Sequence, residues 1–257
     1  MEWTNDKFLD GKIQIRQPKK GFRAGSDAVL LAASVNRSAK VSVLDVGTGV
    51  GTVGICIKHR MPKASIYGIE CQKVLADQAL ENARANNCAE DFHILNVDIG
   101  DRTAFNGMEG PNDRPFLNDV FDHVVTNPPF YADGKAQSSP DQIKATAHVE
   151  GAVDLESWLK FCVARLKPRG QISVIHRTDR LTDILKTLES QCGRLTVIPL
   201  WPNKETPAKR VIVQGVKEDK SGNIILPGLV LHEKNGQPTE ISERILREGI
   251  GLEDIYK

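Results

Sequence analysis

The chain has 257 residues, 40% of them hydrophobic and 26% charged, with a formal net charge of +1. That length supports one large domain with a substantial core, and so even a charge balance gives no global argument for nucleic acid while leaving room for a local basic face. Five scattered cysteines (Cys56, Cys71, Cys88, Cys162, Cys192) without a C-x-x-C pair argue against a disulfide framework or zinc site, Met1–Asp6 lacks an apolar signal core, and no run approaches a membrane span, so reduced thiols in the cytoplasm are expected.

In chain order, residues 1–24 are polar, with Ile13 and Ile15 alternating in a strand. Lys12, Arg16, Lys19, Lys20 and Arg23 gather here, either to grip phosphates or as a solvated hairpin face. Ser26 or Asp27 is placed to cap a short apolar helix over 28–34. Strands and helices then alternate, the signature of a parallel sheet. Strands are expected at 41–46, 64–70 and 92–97, with helices from the glycine loop to about His59 and over 72–87, the latter turning Leu75, Ala79 and Ala83 inward beside Leu80. Residues 99–119 read as a loop, and 121–126 as a buried strand. The stretch 131–153 is a candidate lid or substrate-binding loop, or an ordinary surface loop. Asp154 caps a helix whose apolar spacing puts Trp158 in the core. A strand over 171–176 and a helix from Asp179 follow. The runs 194–200 and 209–216 suit an edge strand pair, antiparallel in part. A further extended run spans 224–232, and a short helix 239–248. No composition shift marks a second domain.

Two places carry chemistry. Asp45-Val46-Gly47-Thr48-Gly49-Val50-Gly51-Thr52-Val53-Gly54 lies between a strand and a helix, and Gly49, Gly51 and Gly54 satisfy G-x-G-x-x-G with Glu70 about twenty residues on. A dinucleotide site fits that pattern. However, Asp45 is ill-suited to a pyrophosphate and well-suited to a methionine ammonium group. Asp98, closing the third strand, suits an adenine amino group. Together the two acids favour S-adenosylmethionine over a dinucleotide. Farther on, Asn127-Pro128-Pro129-Phe130 ends the strand at 121–126, because two prolines cannot continue a ladder. It leaves an amide, a proline carbonyl and an aromatic ring at a strand's carboxyl end, where open α/β sheets bind ligands. The plain alternative is a tight turn with a core Phe. His148, Glu150 and His176 pair with nothing in sequence and read as structural.

In that order, the glycine loop, Glu70, Asp98 and Asn127–Phe130 resemble a class I S-adenosylmethionine-dependent methyltransferase. The resemblance implies an α/β Rossmann-like fold: a mostly parallel seven-stranded sheet with an antiparallel edge strand and helices on both faces. Within that group the chain is similar to the bacterial tRNA-valine adenine-N6 methyltransferases, through Gly21-Phe22-Arg23-Ala24-Gly25-Ser26-Asp27-Ala28-Val29-Leu30-Leu31 and through Leu229–His232 with Gly236 and Thr239. Phe130 stands where an adenine-directed member often carries Tyr. The implied organisation is a cap over the cofactor (1–35), a methyltransferase core (36–217) and an appendage of the same domain (218–257). The implied cofactor contacts are Phe22, Arg23, Gly25, Asp27, Asp45, Gly47, Thr48, Gly49, Gly51, Glu70, Cys71, Asp98, Ile99 and Asn127. Asn127, Pro128, Pro129 and Phe130 would form the catalytic motif, with no metal. Lys19, Lys20, Arg23, Lys209 and Arg210 would hold an RNA substrate, most naturally a tRNA. Competing readings are N5-methylation of a protein glutamine, N2-methylation of guanine in ribosomal RNA, and a non-catalytic module binding S-adenosylmethionine and RNA.

Overall fold

The structure, a computed structural model, describes residues 1–38, 40–118, 120–129 and 153–256. Phe130, His148, Glu150 and nearly all of the expected 131–153 loop lie outside the described residues. An antiparallel hairpin comes first, β1 (Trp3–Phe8) with β2 (Ile13–Pro18). The main sheet contains β3 (Ser42–Val46), β4 (Ser65–Ile69), β5 (Phe92–Leu95), β6 (Phe121–Thr126), β7 (Leu166–Arg177), β8 (Cys192–Trp201), β9 (Arg210–Lys217), β10 (Ile224–Ile225) and β11 (Leu229–Val230). Its order is β5-β4-β3-β6-β7-β9-β8, with β10 and β11 both on β8. Strands β3 to β7 are mutually parallel, and β9 runs antiparallel to both neighbours.

The alternating α/β sheet expected from the sequence is therefore present, with two differences of detail. The antiparallel strand is internal, between β7 and β8, and the main sheet has nine strands among the described residues. The extended run over 224–232 splits into two short strands because Pro227 has no N–H to donate. Gly228 follows it at φ +84°, where a Cβ would collide with the Pro199 carbonyl.

Two apolar clusters flank the sheet, and strand alternation supplies both: Val43 faces one, Leu44 and Val46 the other. Helices α1 (Ser26–Ala33) and α2 (Thr52–Arg60) cover the first, and α4 (Leu155–Arg165) and α5 (Leu181–Leu188) the second. Helix α3 (Lys73–Ala85) departs from expectation. Leu75 and Leu80 are half-buried, and its inward face is Ala76, Gln78, Ala79, Asn82 and Ala83. The polar members have work there. Asn82 exchanges two 2.9 Å hydrogen bonds with the backbone of Arg16, and Asn86 does the same with Gln14 at 2.9 and 2.7 Å. Residues four apart on a helix and two apart on a strand both rise about 6 Å, so the two amides replace a missing neighbour of β2. Asn82 also donates to Val50 O at 2.9 Å, tying the hairpin to the glycine loop.

Near its end the chain forms a helix over Glu240–Glu243, capped by Thr239, and a wider turn over Arg244–Glu248. Arg60, with a 4% exposed side chain, then holds this end to the body: it bonds the Ala32 and Val35 carbonyls and pairs with Glu253 at 3.1 Å. Arg60→Ala leaves Glu253 only its longer contacts with Arg37 and frees three carbonyls, and is expected to cost about 2–3 kcal/mol in a denaturant melt, below the range for a fully buried pair because Glu253 is partly exposed.

Candidate active site

The sheet reverses its strand order at β3, with β4 on one side and β6 on the other. Ligand crevices open at such switch points, beyond the carboxyl ends of the strands. Val46 and Thr126 are register partners, so Gly47 and Asn127 leave the sheet side by side. The pairing is reinforced, because Thr126 Oγ1 donates to Val46 O at 2.8 Å and Trp158 Nε1 donates to that hydroxyl at 2.8 Å. A cavity of about 240 Å³ opens above them. Phe22, Arg23, Gly25, Asp27, Asp45, Gly47, Thr48, Gly49 and Asn127 all line it.

The glycine loop is held from below. Gly47 and Thr48 donate N–H groups to Ile69 O at 2.9 Å, and Gly51 donates to Thr48 O. Gly47 sits at φ +77°, and a Cβ there would lie 3.0 Å from the Trp158 ring. Gly49, at φ +56°, has nothing within 4 Å of where a Cβ would stand, so its backbone is open to a ligand. Gly47→Ala is expected to cost about 1–2 kcal/mol through the left-handed backbone alone and to weaken cofactor binding, both read by calorimetry.

Asp45 is 1% exposed and accepts a 2.7 Å hydrogen bond from Thr48 Oγ1. Burial pushes its pKa up to about 7, against the lowering effect of Thr48, with Glu70 nearby adding to the rise. No cation partners Asp45 among the described residues, so this buried carboxyl is poised to take one from a ligand. On the far side of Gly49, Glu70 Oε2 accepts the Gly49 N–H at 3.0 Å and Oε1 the Gln72 N–H at 2.9 Å. Burial raises the Glu70 pKa, and these donors oppose the rise. Cys71 Sγ lies 3.7 Å from Glu70 Oε1, and Asp98 accepts from Gly100 N at 2.8 Å. Glu70, Cys71, Asp98, Ile99 and Gly51 are not among the cavity's walls. The predicted residues thus divide into a walled group around Asp45 and Asn127 and a flanking group reached through Gly49.

Asn127 provides the sharpest feature. Its Oδ1 is buried and has no hydrogen-bond partner among the described residues. An orphaned buried acceptor costs about 1–3 kcal/mol, and Asn127 lines the cavity. Thr52 Oγ1, on a residue 2% exposed in the same wall, is likewise unpartnered. Sequence reasoning missed Thr52; the signal was a lone hydroxyl opening the otherwise apolar run Val53-Gly54-Ile55-Cys56-Ile57.

Three expectations need correction or refinement. Trp158 packs against the second apolar cluster as expected but is only half-buried, since it also walls the glycine loop and its indole N–H meets Thr126 at the sheet's rim. Helix α1 takes Gly25 as its N-cap with no side-chain cap; Asp27 is turned instead to Arg210, with Nε to Oδ2 at 3.1 Å. Two of the proposed phosphate-binding cations are engaged within the protein. Arg210 makes that pair, and Arg23 donates to Thr4 Oγ1, Pro18 O and Asp6 Oδ2 at 2.9, 2.7 and 2.6 Å. Lys19 makes a solvent-exposed 3.1 Å pair with Glu2, while Lys20 and Lys209 are exposed. His176 is buried with its pKa pushed down to about 4 by desolvation, in keeping with a structural role.

The methyltransferase small domain family matches residues 19–196. The chain belongs to this family. It is 31% identical over 207 residues to a tRNA1(Val) (adenine(37)-N6)-methyltransferase of Porphyromonas gingivalis, covering 78% of this chain and 77% of that one. A protein of the same name from Bacteroides thetaiotaomicron is 30% identical, covering 73% of each. Among solved structures, a predicted O-methyltransferase from Agrobacterium tumefaciens superposes with TM-score 0.69 at 21% identity, covering 88% of this chain and 97% of that one. A SAM-dependent O-methyltransferase from Thermotoga maritima gives TM-score 0.53 at 15% identity, covering 79% and 69%. These two establish the fold, the class I methyltransferase sheet. The chain is an S-adenosylmethionine-dependent methyltransferase. Its cavity fits that cofactor: a buried carboxyl for a cation, an open glycine backbone and an unpaired Thr52 hydroxyl in one wall.

Proposed function

We propose that this enzyme methylates an exocyclic amino nitrogen, N6 of adenine in tRNA, in the cytoplasm. The observation that carries the reading is the buried, unpartnered Asn127 Oδ1 opening on the same cavity as Asp45. Names of relatives at about this identity support the choice of tRNA adenine over protein glutamine or guanine.

Asp45, Gly47, Thr48 and Gly49 would hold the methionine end of S-adenosylmethionine, with Arg23, Gly25 and Asp27 closing over it in the N-terminal segment 1–35; Phe22, expected in that set, keeps most of its ring in solvent. Gly51 shapes the turn, and Glu70, Cys71, Asp98 and Ile99 would receive the ribose and adenine. The bound cofactor supplies an electrophilic methyl group on a sulfonium. The protein must then improve a poor nucleophile, since the adenine amino lone pair is delocalised into the ring. Asn127 Oδ1 and the Pro128 carbonyl would accept its two hydrogens, favour a pyramidal nitrogen and stabilise the positive charge that develops there. Pro129 ends the strand, and Phe130 would stack on the base. Holding the acceptors still supplies much of the remainder. No strong base is needed, because the methylated ammonium is acidic and sheds its proton to solvent.

The base must leave its stack to enter the cavity, so an unpaired loop nucleotide is the cheaper substrate. Lys19, Lys20 and Lys209 are the cations best placed for phosphates; Arg23 and Arg210 would take part only by rearranging their present pairs. Methyl-labelled cofactor, offered to tRNA, ribosomal RNA and protein fractions from cells lacking this enzyme, tests the assignment. Label is expected in tRNA; label confined to ribosomal RNA or protein would move the substrate while leaving the enzyme class intact.

A further inference from the structure

Phe22 is one of few large apolar side chains left in water among the described residues, at 64% exposure, and it stands on the rim of the cavity that Asn127 lines. Leaving such a ring out forfeits burial that a Phe would otherwise gain. The loop could recover that burial by folding the ring inward, yet hydrogen bonds hold it in place. Arg23, the next residue, donates from Nη1 to Pro18 O at 2.7 Å, closing the loop that carries the ring. Gln17 receives the Ala24 N–H on Oε1 at 2.9 Å and gives Nε2 to Ala24 O at 3.3 Å, just after it. Gln17 is 2% exposed, and Asp6 Oδ2 accepts from both Gln17 and Arg23, at 2.7 and 2.6 Å. A polar clamp rooted in the hairpin thus fixes both flanks of an exposed aromatic ring, which is the preorganisation of a binding platform.

We infer that Phe22 is a stacking platform for the nucleobase adjoining the target nucleotide in the RNA substrate. The inference rests on the RNA reading given above. The occupant follows from what lies where. Phe22 shares its cavity with Asp45 and Asn127, the expected methionine end and target base. The cofactor's own planar group is expected beyond Gly49, beside Glu70 and Asp98, which do not wall this cavity. A methionine chain offers no plane to stack on, and most of the ring faces outward, toward a substrate entering from solvent. Exposed Lys20, two residues away, suits the phosphate of a stacked nucleotide. Stacking of this kind tolerates any base, because every base has a π face.

The test measures KM for unmodified tRNA and kcat at saturating cofactor in the wild type, Phe22→Ala, Phe22→Leu and Phe22→Trp, with S-adenosylhomocysteine affinity by calorimetry alongside. Phe22→Ala is expected to raise KM for tRNA about tenfold to a hundredfold, with cofactor-product affinity and melting temperature unchanged. Phe22→Trp restores KM, and Phe22→Leu, apolar without a plane, does not. Wild-type behaviour in Phe22→Leu, or weakened S-adenosylhomocysteine binding with unchanged KM for tRNA, would overturn the platform while leaving the tRNA activity in place. A wild-type enzyme that gives no methylated tRNA would remove the substrate reading and the platform together.

Discussion

Asn127→Ala is expected to lower kcat by about 10²–10³, the usual cost of losing one preorganised hydrogen bond to a developing charge, while S-adenosylhomocysteine binds as before. The split follows from the geometry. Asn127 Oδ1 makes no bond that supports the fold among the described residues, so its removal leaves the sheet and glycine loop intact. Its neighbour Thr126, bonded to Val46 O and to Trp158, does the structural work at this strand end. Asn127→Asp is a stricter companion. It keeps an acceptor but offers a full charge in a buried position, so activity should depend on pH. Near-wild-type kcat in Asn127→Ala, measured as S-adenosylhomocysteine release at saturating tRNA, would remove the amide from the chemistry.

The second large effect concerns Asp45 and its proton. Its carboxyl titrates at about 7 in the folded protein, well above the ordinary carboxylate value of 3.8, chiefly because burial disfavours the charge. Two signs follow. For folding, a raised pKa means that stability is fullest below the unfolded value and is lost as pH rises from about 3.8 to about 7. For cofactor binding the sign reverses, because a methionine ammonium pairs with the carboxylate. Above pH 7 the carboxylate is ready; below it, binding must expel a proton, and affinity falls by up to about tenfold per pH unit. Calorimetry with S-adenosylhomocysteine between pH 8 and 5.5 should show that slope, with proton release on the acid side. Asp45→Asn should weaken binding about 30-fold or more at pH 8, on the scale of a buried charge pair losing one member, and abolish the slope. A slope that persists in Asp45→Asn would assign the proton to another group.

Much of this architecture was legible because strand and helix periods repeat so regularly from Val41 to Val216. The glycine loop and the two prolines announced their own positions, since each requires a backbone that the neighbouring ladder cannot continue. The position of β9 was not legible: alternation reports that Arg210–Lys217 is a strand, but not which two strands it lies between. Trp158 was legible only in part, for a related reason. Helical spacing turns it inward, and only the tertiary meeting of α4 with the ends of β3 and β6 shows that inward here also means against Gly47. The engagement of Arg23 with Asp6, and of Arg210 with Asp27, spans many residues of sequence. A cluster of basic residues therefore looked more available for phosphates than the fold leaves it. Nor could sequence show that Asn82 and Asn86 act as a surrogate strand for β2, because buried amides in a helix look like surface polarity until their partners are known.

The most direct test of the central claim is nucleoside-resolved mass spectrometry of tRNA lacking its own modifications, after incubation with the enzyme and S-adenosylmethionine. The account predicts N6-methyladenosine with the wild type and its near disappearance over the same time course with Asn127→Ala. A methylated nucleoside other than N6-methyladenosine, or equal product from both proteins, would contradict it.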